Sequence, residues 1–140
     1  MIIGVGTDIV EIKRVERVCS GKRFPGRIFH VNEKELVAGH PSKAAGNFAV
    51  KEAVVKVFGT GFGFVEASEI EVGREENGKP YLVLHGNAKV MAEKLGISRW
   101  HISISNTADL AIAFVVGESM EKERRQTDEI YYNECRDAGN

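Results

Sequence analysis

The chain has 140 residues, of which 43% are hydrophobic and 28% are charged, and its formal net charge is -1. This length suits one domain with a modest core, and this balance excludes a disordered chain and a general nucleic-acid binder. The two cysteines match no zinc or redox spacing, and no apolar run approaches the roughly 18 residues that a membrane span needs. We therefore expect a cytoplasmic protein with neither a membrane nor a nucleic-acid partner.

Positive charge is concentrated in residues 11–27, which carry six basic and two acidic side chains and hence a local net charge of +4. A basic patch on a nearly neutral protein indicates an acidic macromolecular partner. A solvated helix face explains such a run of charges equally well.

Strand and helix patterns alternate in the first forty residues. Residues 2–9 are rich in β-branched side chains, which predicts a strand that ends at Asp8. The spacing of apolar residues over 9–19 predicts a helix with a basic, exposed face. Asn32, with Glu35 three residues later, forms the expected capping pair of a short second helix.

The segment SKAAGNFAVKEAVVKVFG at 42–59 predicts a long helix. Ser42 is the expected N-cap, and Gly59 is the expected left-handed stop. Apolar side chains cover this helix nearly all round, so we expect it to be the buried spine of the domain. Two polar pairs interrupt the apolar surface: Asn47 with Lys51, and Glu52 with Lys56.

The second half of the chain predicts a small antiparallel sheet. The expected strands are 68–74 and 80–85, joined by a turn at 75–79, followed by 101–106 and 110–116. A short helix at 87–95 closes at Gly96. The fold class is therefore α+β, with a small antiparallel sheet packed on a long central helix plus short helices. The expected domain is 1–117, and the charged tail at 118–140 suits a frayed helix followed by disorder.

Two acidic side chains are candidates for chemistry. Glu52 lies within the apolar arc of the spine helix, where a carboxylate is costly to bury unless it is paired or bound to a metal. An ion pair with Lys56 one turn later explains it equally well. Asp8 interrupts an apolar strand end, although such an acid is more often a turn or capping residue. Together the two carboxylates are sufficient protein ligands for a magnesium ion that also binds substrate phosphates.

Other polar groups could support phosphate chemistry less specifically. Lys56 supplies a cation, and Gly59, Thr60 and Gly61 permit close backbone approach, although this sequence lacks the P-loop pattern. His101, Ser103 and Ser105 share one strand face, but the sequence shows no acid placed to orient His101, so we interpret them as a polar face. The remaining histidines, interpreted as surface or loop residues, show no ligand spacing with one another: His30, His40 and His85.

Four sequence blocks stand out: GTDIVEIKRVERV at 6–18, FAVKEAVVKVFGTG at 48–61, NGKPY at 77–81 and HISISNTADLAIAFVV at 101–116. Together they resemble one family, the holo-acyl-carrier-protein synthases, which are small 4'-phosphopantetheinyl transferases of bacterial fatty acid synthesis. They occur in the order and spacing of that family and cover essentially residues 1–117. The resemblance implies the 4'-phosphopantetheinyl transferase fold, assembled as a homotrimer with active sites in the clefts between subunits.

The resemblance also implies an activity and a site. The enzyme would transfer 4'-phosphopantetheine from coenzyme A to a serine of an acyl carrier protein. Asp8 and Glu52 would bind Mg²⁺ as catalytic residues together with Lys56. The implied coenzyme A contacts are Lys56, Gly59, Thr60, Gly61, Asn77, Gly78, Lys79, Pro80 and Asn106. The implied carrier-protein contacts are Arg14, Arg23 and Arg27.

Two positions depart from the family pattern: Asn47 replaces a frequent arginine and Asn106 a frequent histidine. Both usual residues are associated with the phosphate-rich cofactor, so we expect altered phosphate contacts. Two alternatives remain open from the residues alone. One is a magnesium-dependent phosphohydrolase that uses the same carboxylates with water as nucleophile. The other is a non-catalytic carrier-protein or nucleotide-binding module in which Glu52 and Lys56 form a structural ion pair.

Overall fold

The structure is a computed structural model that describes residues 1–21 and 23–120. The strands are β1 (Ile2–Glu11), β2 (Ile70–Arg74), β3 (Pro80–Leu84), β4 (Arg99–Asn106) and β5 (Leu110–Glu118). The helices are α1 (Ile12–Cys19), α2 (Lys34–Val37), α3 (Pro41–Phe58) and α4 (Gly86–Leu95). Short 3-10 helices cover Val31–Glu33 and Ala67–Glu69. This mixture of segregated strands and helices confirms the predicted α+β class.

The strands form two antiparallel sheets. The first has three strands in the order β1-β5-β4, and the second is the β2-β3 hairpin. The sequence predicted the sheet in the second half of the chain, but β1 also joins it, with Asp8 opposite Ala113 of β5. The N-terminal strand thus completes the sheet that packs on the long helix.

Helix α3 is the predicted spine. Most of its side chains are buried, and they contribute to two apolar clusters, one shared with the sheets and α4 and the other with α1. The helix begins at Pro41, whose fixed backbone suits a first helical position, so the N-cap is His40 and the prediction of Ser42 is wrong. The prediction of its end is confirmed, since Gly59 adopts a φ of 76°.

Strand β1 lies unusually close to α3. A Cβ atom on Gly6 would stand 1.9 Å from the carbonyl oxygen of Ala53, which is shorter than any non-bonded contact. At Gly4, it would be 3.2 Å from Val57. Only glycine at position 6 lets the backbones of strand and helix approach in this way. This contact fixes which side chains of the two elements become neighbours.

Three boundaries differ from the sequence-based expectation. Strand β1 continues past Asp8 to Glu11, because its pairing with β5 extends to Leu110. Helix α1 therefore begins at Ile12 and not at residue 9. The capping pair before the short helices is His30 with Glu33, not Asn32 with Glu35. The histidine ring accepts the Asn32 N–H, and Glu33 accepts the His30 N–H.

The remaining elements follow the prediction closely. The 75–79 turn closes with the Glu75 N–H donating to Lys79 at 2.9 Å, and Gly96 ends α4 with a φ of 73°. Strand β5 ends at Glu118, one residue beyond the predicted domain end. The predicted tail helix falls in 121–140, outside the described residues. No helix in the described part of the chain is long and apolar enough to cross a membrane.

Candidate active site

Asp8 lies where β1 crosses α3. Side chains of β1 alternate between an outer face and a face toward α3, and Asp8 shares the latter with Gly6. Because Gly6 contacts Ala53, the neighbouring residue Glu52 comes close to Asp8. Two acids 44 positions apart in sequence thus lie near enough for the charge of Asp8 to influence Glu52.

Lys56 joins this pair from the next turn of α3. Its ammonium donates to the carbonyl of Thr7 at 2.8 Å and to Asp8 Oδ1 at 3.2 Å. The ion pair with Glu52 that the sequence allowed does not form within 4.0 Å in the described residues. Lys56 remains 54% exposed, so its charge is also accessible to a ligand.

The surroundings of Glu52 disfavour its charged form. Burial raises its pKa, and the charge of Asp8 raises it further, while Lys56 and Arg14 act in the opposite direction. A carboxylate whose ionisation is disfavoured by a neighbouring acid fits a divalent cation, which would relieve that repulsion. The donor set of Asp8 and Glu52, all oxygen, is the one that Mg²⁺ prefers.

The other residues that the sequence predicted as coenzyme A contacts fall into two groups. One group continues α3 beyond Lys56, and the other lies on different strands. Gly59, Thr60 and Gly61 follow directly on the end of α3, one turn beyond Lys56, and all three are exposed. The turn containing Asn77, Gly78, Lys79 and Pro80 belongs instead to the second sheet. Asn106 ends β4 and is separated from β1 by β5. Within the described residues, no hydrogen bond or ion pair joins the turn or Asn106 to the two carboxylates.

The three arginines predicted to contact the carrier protein lie in two parts of the fold. Arg14 is exposed on α1, and its charge influences Glu52, so it lies beside the acidic pair. Arg23 and Arg27 are exposed in the loop that follows α1. An apolar cavity of about 130 Å³ opens next to Arg14. Its other lining residues are Val10, Val15, Val18, Ile28, Phe29 and Phe48.

Asn47 and Lys51 face the core. The Asn47 amide donates to Glu33 Oε2 at 2.8 Å and to the Val72 carbonyl at 3.0 Å. The Lys51 ammonium lies 2.6 Å from Glu33 Oε1 and also donates to the carbonyls of Ala67 and Ile70. Burial lowers the pKa of Lys51, and the Glu33 carboxylate opposes that shift. Asn47 therefore belongs to a buried hydrogen-bond network, and no sequence signal predicted that Glu33 is part of it.

One statement about histidines is wrong. The polar face of His101, Ser103 and Ser105 is exposed as predicted, and Glu118, 3.7 Å from His101, lies beyond hydrogen-bond distance. His30 and His85 do meet, with their rings stacked 4.2 Å apart beside Glu71. They are 55 positions apart, and no sequence spacing reveals a contact over that separation.

Comparisons with known proteins identify the family of this chain. The model of the 4'-phosphopantetheinyl transferase superfamily matches residues 4–115. A holo-[acyl-carrier-protein] synthase of Lachnoclostridium phytofermentans is 50% identical over 118 residues, which cover 84% of this chain and 97% of that protein.

Solved structures give the same result. The holo-[acyl-carrier-protein] synthase of Neisseria meningitidis superposes with a TM-score of 0.75 at 38% identity, covering 85% of this chain and 100% of that one. The Helicobacter pylori enzyme in complex with coenzyme A gives 0.72 at 31% identity, covering 81% and 99%. With a matched family model, close relatives and a shared fold, this chain belongs to the 4'-phosphopantetheinyl transferase superfamily.

Proposed function

We propose that this chain is a holo-[acyl-carrier-protein] synthase, which transfers 4'-phosphopantetheine from coenzyme A to a serine of apo-acyl carrier protein. The observation that carries this proposal is the meeting of Asp8, Glu52 and Lys56 where α3 crosses β1. The relative with 50% identity bears the name of that activity. The enzyme would act in the cytoplasm and support fatty acid biosynthesis.

The reaction transfers the 4'-phosphopantetheine group from the diphosphate of coenzyme A to a serine oxygen. The serine hydroxyl oxygen attacks the β-phosphorus of coenzyme A, and the bond from that phosphorus to the bridging oxygen of the diphosphate breaks. Adenosine 3',5'-bisphosphate leaves with that oxygen, and the serine loses its proton. Glu52 is a candidate acceptor for this proton, because it lies beside Asp8 and Lys56 at the proposed phosphate site.

Charge on the diphosphate must be balanced as the leaving group departs. Asp8 and Glu52 would hold Mg²⁺, which supplies electrostatic stabilisation of phosphate oxygens when bound. The half-exposed ammonium of Lys56 would bind a phosphate oxygen directly. The exposed backbone at Gly59, Thr60 and Gly61 would let the coenzyme approach the end of α3.

The carrier protein would dock on the side of Arg14. This arginine lies beside Glu52, and the apolar cavity next to it could receive an apolar side chain of the partner. Arg23 and Arg27 would extend the basic surface toward an acidic helix. A docking surface adjacent to the two carboxylates would deliver the carrier serine to the reacting phosphorus.

Self-association into a homotrimer is the second part of the proposal. The outer face of the three-stranded sheet exposes Val5, Ile9, Ile112 and Phe114, which form an apolar patch suited to a further protein surface. Contacts across subunits would bring the 77–80 turn and Asn106 to the carboxylates of another copy. This assembly accounts for their separation within one chain.

The test uses the full chain with coenzyme A, Mg²⁺ and an apo carrier protein, and follows the intact mass of the carrier. We expect the mass of one phosphopantetheine to be added, and the addition to require the metal. Glu52→Gln should lower the rate by at least about 100-fold. Glu93→Gln, which changes an exposed glutamate on α4, should leave it unchanged.

The same assay separates the alternatives. Release of adenosine 3',5'-bisphosphate without modification of the carrier would indicate a phosphohydrolase. Binding of coenzyme A without either product would indicate a non-catalytic module. Arg14→Ala should raise the KM for the carrier protein more than it lowers kcat, and an unchanged KM would contradict the docking surface.

A further inference from the structure

Three side chains outside the proposed active site converge at one end of the β2-β3 hairpin. His30 precedes the first 3-10 helix, Glu71 lies in β2, and His85 follows β3. One ligand atom from each of the three lies within 4.8 Å of those of the other two. His30 Nδ1 is 3.4 Å from Glu71 Oε1, and His85 Nε2 is 3.7 Å from Glu71 Oε2.

Two polar atoms of this cluster have no hydrogen-bond partner among the described residues. Glu71 is 8% exposed, yet its Oε1 atom accepts no hydrogen bond from that part of the chain, and the buried Nε2 of His85 has no partner there either. Buried polar atoms normally find partners, and leaving one without any costs free energy. Two such atoms facing the same small space indicate that something binds between them.

The contacts of His30 indicate what can bind. Its Nδ1 accepts the Asn32 N–H at 3.1 Å and also lies 3.4 Å from Glu71 Oε1, so two acceptor atoms face each other. A cation bound between them would satisfy both atoms. Binding it would exchange the contact to Asn32 for a metal bond and would turn the stacked rings of His30 and His85 so that both point at the ion.

We propose that His30, Glu71 and His85 form a binding site for a divalent transition-metal ion of the Zn²⁺ type. Two imidazoles and one carboxylate are a ligand set of zinc, whereas Mg²⁺ prefers oxygen ligands. The nearby ammonium of Lys51 is neutralised by Glu33, so it does not exclude a second cation. The site is separate from Asp8 and Glu52 and shares no residue with them.

The role that follows from the position is structural. The metal would join the loop before Val31–Glu33 to the hairpin that carries the 77–80 turn. Its ligands come from segments that α2, α3 and the long loop after α3 separate in the sequence. Because a ligand that binds only the folded state stabilises it, Zn²⁺ should raise the melting temperature of the domain.

The experiment uses the full chain, stripped with EDTA and returned to excess Mg²⁺ so that the acidic pair is occupied. Zn²⁺ is then titrated at neutral pH against a chromogenic chelator, with the melting temperature as second readout. We expect one equivalent per chain and a higher melting temperature. His85→Asn and Glu71→Gln should each weaken binding by at least about tenfold.

Matched variants identify the site. His101→Asn removes an exposed histidine that also stands near a glutamate, and it should bind Zn²⁺ as the unchanged protein does. Glu52→Gln should also retain binding, which excludes the acidic pair as the zinc site. Co²⁺ substitution should give visible bands without a thiolate charge-transfer band, which excludes the cysteines.

Two results would overturn the proposal. One is Zn²⁺ binding of equal affinity in His85→Asn, and the other is the absence of stoichiometric binding to the unchanged protein. If His85→Asn does not fold, His30→Asn and the Co²⁺ spectrum of the unchanged protein decide the question, since only imidazole and carboxylate ligands fit the expected spectrum.

Discussion

Gly6 contacts the carbonyl of Ala53 so directly that no side chain fits between β1 and α3 at this point. The contact lies two residues before Asp8 and one residue after Glu52, and it sets the distance between the two elements that carry them. A glycine with no chemical role thereby determines the geometry of the proposed metal site.

Replacing this glycine should destabilise the fold and disturb the site. In Gly6→Ala the new methyl group would overlap the Ala53 carbonyl, so β1 and α3 must separate, and we expect a loss of about 1–3 kcal/mol in unfolding free energy. Urea denaturation measures this loss. Gly26→Ala is the control, since nothing lies within 4 Å of its Cβ position. Equal stability of the two variants would contradict the close approach.

The stability of the metal-free protein should depend on the charge of Glu52. Its pKa is raised in the folded state by burial and by Asp8, so folding favours the protonated form. This contribution is present below the unfolded pKa and is lost as the pH rises through the folded pKa. Glu52→Gln should therefore be more stable than the unchanged protein at neutral pH, while being inactive.

Thermal unfolding in EDTA across a pH series checks that prediction. The stability difference between Glu52→Gln and the unchanged protein should shrink as the pH falls through the raised folded pKa of Glu52, and it should be absent below 4.5, the ordinary value for a glutamate. Glu93→Gln should show no such trend, because Glu93 is exposed. A difference that grows toward acid pH would mean that Glu52 is stabilised as a carboxylate by its surroundings.

The buried pair of Lys51 and Glu33 should contribute strongly to stability when one partner is removed. Lys51→Met leaves the Glu33 carboxylate in the core without its cation, and we expect a loss of about 3–5 kcal/mol. Glu33→Gln/Lys51→Met removes both charges and should lose less than the single variant. Urea denaturation of the two variants and of Lys56→Met, an exposed control, measures the difference. A single variant no less stable than Lys56→Met would refute the assignment.

The apolar outer face of the first sheet should determine the oligomeric state. Phe114→Asp places a charge in the middle of that face and should convert the proposed trimer to monomers. Sedimentation equilibrium gives the native mass. Val90→Asp alters an exposed apolar residue on α4 and should leave the mass unchanged. A monomeric unchanged protein would contradict the trimer.

Local sequence signals predicted much of the fold. Gly59 and Gly96 end their helices as expected, because a left-handed terminal residue is a local requirement that glycine meets. The turn around Gly78 follows from the same logic. The N-caps were missed at His30 and His40, because histidine is not a preferred cap and the surrounding Asn32 and Ser42 are stronger signals.

Relationships between distant residues were harder to predict. Asp8 and Glu52 stood out as acids within apolar patterns, and the resemblance to a family paired them. Glu33 does not interrupt an apolar pattern, and a glutamate in a short polar segment is usually exposed. Only the packing of β2 against α3 shows that it meets Lys51 in the core.

The burial of α3 has a consequence for inactivation. Glu52 and Lys56 lie on α3, which contributes residues to both apolar clusters. This helix therefore cannot separate from the rest of the domain without disrupting both clusters. Heat or denaturant cannot displace these groups through a local opening of a peripheral segment. Catalysis and cooperative structure should therefore disappear in a single transition.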